Sequence, residues 1–283
     1  MSITSALKSW PVVRVFSKDK LVDSPLLNRL GVQPFRVWLA NAIYHAKSYP
    51  VDASVAEPVE RLMQEGLIMI EDFLPDDEFR RLNDECRQFV AAGQFATSKR
   101  VGSNTIYNHD VRDLDRETYP VTTSLLHHPM LQKLFSAADR RRVNPANDDL
   151  VILIQYLVQG EGDEVDIETE LHVDTFFNTF KAWLYLDDVR MENGPFVYVK
   201  GSQSTLRGNR YRKVYDYSQQ RGVSGSRRVS QEELSEMGLS ETTVLCKNNT
   251  LAMANTFGFH RRLRGVAGND RLTIAITSKR KFL

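Results

Sequence analysis

From residue 150 onward the chain breaks into short apolar runs, LVILIQYLV, KAWLYLDDV, PFVYVKG, TTVLCK, TLAMAN and RLTIAITSK, separated by turn residues. Runs of this length, rich in Val, Ile, Leu, Tyr and Thr, match strands rather than helices. Several such strands joined by Gly, Pro and Asn turns predict two facing sheets, as in a jelly roll. Any chemistry in that half must therefore converge from strand ends and the loops between them.

The first half has a helical texture. Helices are predicted over 54–65, over 76–92 after Pro75 with Asp76 and Asp77 in the first turn, and over 124–141, with a strand in LIMIEDFL between the first two. Residues 30–47 place Val32, Phe35, Leu39, Ala42, Ile43 and Ala46 at three- and four-residue steps, the pattern of an amphipathic helix. With Trp38 and basic flanks, this helix suits a membrane surface, and it equally suits packing on the outside of the domain. The expected class is α+β, with a basic, amphipathic N-terminal extension over 1–50 and a single domain over 51–283.

With 283 residues, 42% of them hydrophobic and 26% charged, the chain can bury one large core. It has no run of about 18 apolar residues and no apolar core of a secretory signal near its start, so a cytoplasmic protein, at most peripheral to a membrane, is expected. Two cysteines, Cys86 and Cys246, exclude a disulfide framework and a Cys-rich zinc site. The net charge of +1 gives no case for nucleic-acid binding. Charge is concentrated locally instead. Residues 1–50 carry seven basic residues against two aspartates, and residues 207–228 carry seven against Asp216. The second patch reads as a long loop between strands, either a solvated face or a lid. As a lid, its Arg210, Arg212 and Lys213 would favour a small anionic or lipid-linked substrate.

His172 and Asp174 form a His-x-Asp just before an aromatic run. On an extended chain, residues two apart point to one side, so an imidazole and a carboxylate can share one ion. A third ligand must come from a distant strand. His127 and His128 lie in a predicted helix, His45 in the amphipathic segment and His109 in a polar loop, which leaves His260, between TLAMAN and the strand at Arg271. Two histidines and a carboxylate on one octahedral face suit iron(II) and leave three positions open for a bidentate oxoacid and dioxygen. Arg271 follows His260 by eleven residues. Its guanidinium can clamp the far carboxylate of 2-oxoglutarate with two parallel hydrogen bonds, and Thr273, two places on, can add a hydroxyl. The alternative for Arg271 is a strand-edge ion pair with Asp270 or another acid.

The segments LHVD, KAWLYLDDVRMENGPFVYVKGS and FHRRLRGVAGNDRLTIAITS together resemble the phytanoyl-CoA dioxygenase family of iron(II) and 2-oxoglutarate oxygenases. The match lies in order and spacing: His172 and Asp174, Trp183, Asn193 and Gly194, Gly201 and Ser202, His260 and Arg271, over roughly 150–280. Membership implies a double-stranded β-helix core with flanking helices. It also implies oxidative decarboxylation of 2-oxoglutarate to succinate and CO2, coupled to attack by O2-derived oxidant on an unactivated C–H bond. Trp183 corresponds to a family tryptophan of the cosubstrate pocket, although a Trp in such a strand often serves only as core. Tyr156, on the strand before the metal motif, is a further pocket candidate.

Two positions depart from the family pattern. Gln203 stands where a His is frequent, and Arg262 stands where a small hydroxyl residue would reach the cosubstrate. Halogenating relatives lack the carboxylate ligand, so Asp174 favours hydroxylation or related C–H oxidation. A metal-binding isomerase or non-catalytic binding protein of the cupin type is the competing class, and neither has a use for an oxoacid clamp after the distal histidine.

Overall fold

The computed structural model describes residues 25–205, 226 and 228–279. Four longer helices, α1 (Val32–Ala46), α2 (Ala56–Glu65), α3 (Asp76–Ala92) and α4 (Pro129–Asp139), surround two antiparallel sheets. The larger sheet contains β1 (Leu67–Ile70), β2 (Thr97–Val101), β3 (Asn104–Asp110), β4 (Leu150–Val158), β5 (Phe180–Tyr185), β8 (Thr250–Asn255) and β10 (Arg271–Ser278) in the order β1-β8-β5-β10-β4-β3-β2. The smaller contains β6 (Phe196–Tyr198), β7 (Thr242–Thr243) and β9 (His260–Arg262), with β6 in the middle. Two facing antiparallel sheets carry the jelly-roll arrangement that the strand spacing predicts.

Side-chain alternation divides the large sheet. Ile152 and Ile154 of β4, Ala182 and Leu184 of β5, and Ile274 and Ile276 of β10 point toward the helices and join one apolar cluster with Leu82, Phe89, Leu131 and Phe135. The odd-numbered residues of β5 and β10 face the smaller sheet, where the site lies. Helix α3 begins with Asp76, Asp77 and Glu78 in its first turn, as the macrodipole favours, and buries Phe79, Leu82, Cys86 and Phe89 at helical spacing. Helix α2 stops at Gly66, which has φ 81; a Cβ there would lie 2.2 Å from the Tyr198 hydroxyl, so both conformation and space require glycine.

Three local expectations change. The helix predicted over 124–141 is divided, because His128, which precedes Pro129, is extended with ψ 117, and α4 starts afresh at the proline. The hairpin β2–β3 is additional, and its exposed first strand carries too few apolar residues to announce itself. Helix α1 buries Gln33, Arg36, Val37, Ala40, Asn41 and Tyr44, whereas Phe35 and Trp38 stay exposed, stacked 5.8 Å apart. Its buried face is thus half polar and is rotated from the apolar stripe. No helix among the described residues is long and apolar enough to cross a membrane.

Candidate active site

His172 sits on an extended segment that pairs with His260 at the start of β9; each backbone N–H donates to the other residue's carbonyl, at 2.9 and 3.0 Å. This bridge sets the two imidazoles 4.5 Å apart, centroid to centroid. Asp174 is brought to the same point by its backbone N–H, which donates to the Thr256 carbonyl at 3.1 Å. His172 Nε2 lies 3.8 Å from Asp174 Oδ1, and His260 Nε2 lies 3.6 Å from Asp174 Oδ2. Among the described residues, these three form the one group of His, Cys and acidic side chains whose ligand atoms all lie within 4.8 Å.

The ring tautomers suit a metal. His172 Nδ1 is 2.7 Å from the Glu170 carbonyl, and His260 Nδ1 is 2.9 Å from the Gly258 carbonyl. A carbonyl can only accept, so each Nδ1 donates its N–H there and each Nε2 is left directed at the cluster. Burial, reinforced by His260, pushes the His172 pKa down to about 3, which keeps the ring neutral. At Asp174 burial opposes ionisation, but Lys181 and then His260 outweigh it and hold the carboxyl well below its ordinary range. The Lys181 ammonium is 2.8 Å from Asp174 Oδ2.

A cavity of about 320 Å³ opens from the triad between the sheets. Arg271, Trp183 and Lys181 all line it. Trp183 packs on Phe196 with centroids 4.6 Å apart, so it both closes the core and forms a cavity wall. Arg271 is 8% exposed and donates to the Gly194 carbonyl at 2.7 Å. Gly194 has φ 62 at the Asn-Gly turn, and a Cβ there would lie 2.8 Å from the Leu263 carbonyl. The Arg271 Nε is buried without a hydrogen-bond partner, and among the described residues no carboxylate pairs with this guanidinium. Burial draws its pKa down, Tyr185 opposes this, and Arg262 adds to it. Asp270 faces the other way, accepting from the Tyr156 hydroxyl at 2.6 Å and the Gln159 N–H at 2.9 Å.

The cavity therefore does not include Tyr156, and that assignment is corrected. Tyr156 has the opposite parity on β4 from Gln155 and Leu153, which do line the cavity, and its ring lies on the helix side with Phe95. Thr273 shares the face of Arg271 and is buried, with its hydroxyl 3.5 Å from the Gln155 carbonyl. Arg262 pairs with buried Asp166 at the cavity edge, so its charge is matched within the fold. Gln203 ties the sheet edge to α2, its amide donating to the Gln64 carbonyl at 3.0 Å. Arg210, Arg212 and Lys213 lie outside the described residues.

Sequence reasoning misses Lys181 and Glu168. Glu168 Oε2 is 3.5 Å from His172 Nε2, on the short turn before the histidine. The signal for Lys181 is its parity: a lone charge in an apolar strand, two residues before Trp183.

The fold is shared with solved structures of low sequence identity. Two structures of the epimerase SnoN from nogalamycin biosynthesis, one in complex with Fe3+, alpha ketoglutarate and nogalamycin RO, align with a TM-score of 0.53. Identity is 17% and 16%, and in both cases the alignment covers 80% of this chain and 83% of the other. A Pseudomonas putida prolyl-4-hydroxylase aligns with TM-score 0.47 and 18% identity, over 80% of this chain and 99% of its own. No curated protein matches the sequence. The family model described as Phytanoyl-CoA dioxygenase (PhyH) matches residues 62–246, a span that includes His172, Asp174 and Trp183 and more than half of the chain. With that match, on a jelly roll that gathers two histidines and an aspartate, the chain belongs to the phytanoyl-CoA dioxygenase family.

Proposed function

We propose that this protein is an iron(II)- and 2-oxoglutarate-dependent dioxygenase that hydroxylates, or otherwise oxidises a C–H bond of, a small substrate. One observation carries the reading: the His172, Asp174 and His260 ligand atoms converge in the cavity that also holds Arg271, a buried guanidinium with no carboxylate partner among the described residues. The donor set fits iron(II), being two imidazoles whose Nε2 atoms face the cluster and one carboxylate, and the buried Arg271 Nε fits an anion that is not part of the protein.

In this reading His172, Asp174 and His260 hold the metal, and Arg271 binds the far carboxylate of 2-oxoglutarate. Bound there, iron(II) and 2-oxoglutarate supply the oxidising chemistry, with release of succinate and CO2. Trp183 forms part of the wall against which the cosubstrate lies, and Thr273 is buried beside it on the face of β10 that carries Arg271. Lys181, its ammonium 2.8 Å from Asp174 Oδ2, would balance the charge of the carboxylate that holds the metal. Phe196 and Trp183 keep bulk water from that side of the cavity.

The substrate is read as anionic. The basis is the sequence: residues 207–228 carry seven basic residues against Asp216, whereas within the cavity Lys99, Lys181, Arg261 and Arg262 are matched by Glu168, Asp174, Glu241 and Asp166, and Arg271 is left for the cosubstrate. The test is succinate release from 2-oxoglutarate with iron(II), against matched anionic and neutral compound panels. Substrate-dependent succinate from the wild-type protein, lost in His260→Ala, is the expected result. Turnover that is indifferent to His260→Ala would overturn the metal assignment, and preference for neutral compounds would overturn the substrate class.

A further inference from the structure

Helix α1 lies N-terminal to the family match, which begins at residue 62. Its buried face is pressed against the two loops that carry the metal ligands. Val37 and Ala40 share an apolar cluster with Leu171 and Val173, which flank His172, and with Phe257 and Phe259, which precede His260. The Arg36 guanidinium sits 3.8 Å from the centre of the Phe176 ring.

A chain of amides runs through this contact. The Asn178 side-chain amide donates to Asn41 Oδ1 of α1 at 3.1 Å, and its own Oδ1 accepts from the Asn255 amide at 2.7 Å. Asn255 Oδ1 in turn accepts from the Phe257 backbone N–H at 3.2 Å. All three asparagines are buried, Asn178 at 1% exposure. Asn178 follows Asp174 by four residues, and Asn255 precedes His260 by five. An amide with both its oxygen and its nitrogen engaged in a dry interior has one orientation, and groups bonded to it are fixed relative to each other.

We propose that Asn178 is a positioning residue of the metal centre, clamped between Asn41 and Asn255, and that α1 is thereby a working part of the site. Resting on the iron-site reading, this inference assigns the family core an additional support from outside the matched region. Asn178 touches no ligand atom; it sets the distance between the Asp174 loop and the His260 loop, and the backbone bond from Asp174 to Thr256 completes the lacing.

The test is titration of the full-length protein with Co(II), following the visible absorption of the bound ion, for wild type, Asn178→Ala, Asn41→Ala, the double variant and His260→Ala. Thermal melts of the metal-free proteins are recorded alongside. Loss of a partner bonded directly to a ligand weakens metal binding by about 10- to 100-fold; Asn178 lies one bond further out, so Asn178→Ala should weaken it by about 10-fold, the lower end of that range. Asn41→Ala should weaken binding by a smaller factor, and the double variant should be no worse than Asn178→Ala alone, because both act through one amide. The Co(II) bands should shift in both single variants, which a general loss of stability does not produce. Wild-type affinity and bands in Asn41→Ala overturn the inference, even if Asn178→Ala fails to fold. A wild-type protein that binds no Co(II), or a His260→Ala protein that binds it equally well, overturns the iron-site reading instead.

Discussion

On the helix side of β10, Leu272, Ile274 and Ile276 are at most 3% exposed and belong to an apolar cluster. On its other side Arg271, Thr273, Ala275 and Thr277 face the smaller sheet, and three of the four carry polar groups. The two faces of one strand are therefore held by different forces. The helix side gains from area removed from water, which depends on volume and tolerates swaps of similar size. The cavity side depends on direction, since each donor or ligand atom must meet a partner at a set distance. Substitutions on the first face should change stability and leave chemistry alone, and substitutions on the second should do the reverse.

The largest expected effect is on the cavity side. His260→Ala should abolish metal binding and turnover while leaving the metal-free protein's melting nearly unchanged, read by metal titration and calorimetry. Unfolding of that variant would break the division between the faces. Phe135→Ala, in the centre of the helix-side cluster, should cost roughly 3–5 kcal/mol in denaturant unfolding, with the metal affinity of the folded protein retained. Arg271→Leu should weaken 2-oxoglutarate binding by on the order of 3 kcal/mol, the loss of two charge-assisted hydrogen bonds, while metal still binds. Unchanged cosubstrate affinity would show that another residue holds the carboxylate. Ile274→Val is the finest probe: about 1 kcal/mol of stability, with no change in cosubstrate affinity although Thr273 is its neighbour.

The division also explains how much of the site is legible in the sequence alone. His172 and Asp174 are legible because alternation puts residues two apart on one side; His260 is reached by setting aside the other histidines, and Arg271 by its eleven-residue spacing from it, which the family resemblance shares. Tyr156 misleads because LVILIQYLV is apolar almost throughout; a strand covered on both faces gives no alternation from which to choose a side. The one polar residue in that run besides the tyrosine, Gln155, marks the cavity face. Helix α1 shows an apolar stripe, but the face it buries is chosen by Arg36 on Phe176 and by Asn41 on Asn178, partners far away in sequence. Pro129 carries a local signal, and the division of the predicted helix there follows from proline chemistry alone.

The segment between β9 and β10 is pinned along its length. The Leu263, Val266 and Gly268 N–H groups donate to the carbonyls of Pro195, Glu192 and Gln159, and Asp270 holds its end against Tyr156. Its length therefore acts as a gauge that sets which way β10 faces. A single-residue deletion taken up by β10 would turn the strand inside out, sending Arg271 among the leucines and Ile274 toward the cavity. A two-residue deletion would preserve the alternation and only slide it along. Along this stretch, insertions and deletions surviving in functional descendants of the chain should therefore come in even numbers, or be confined to the turn before Asp270.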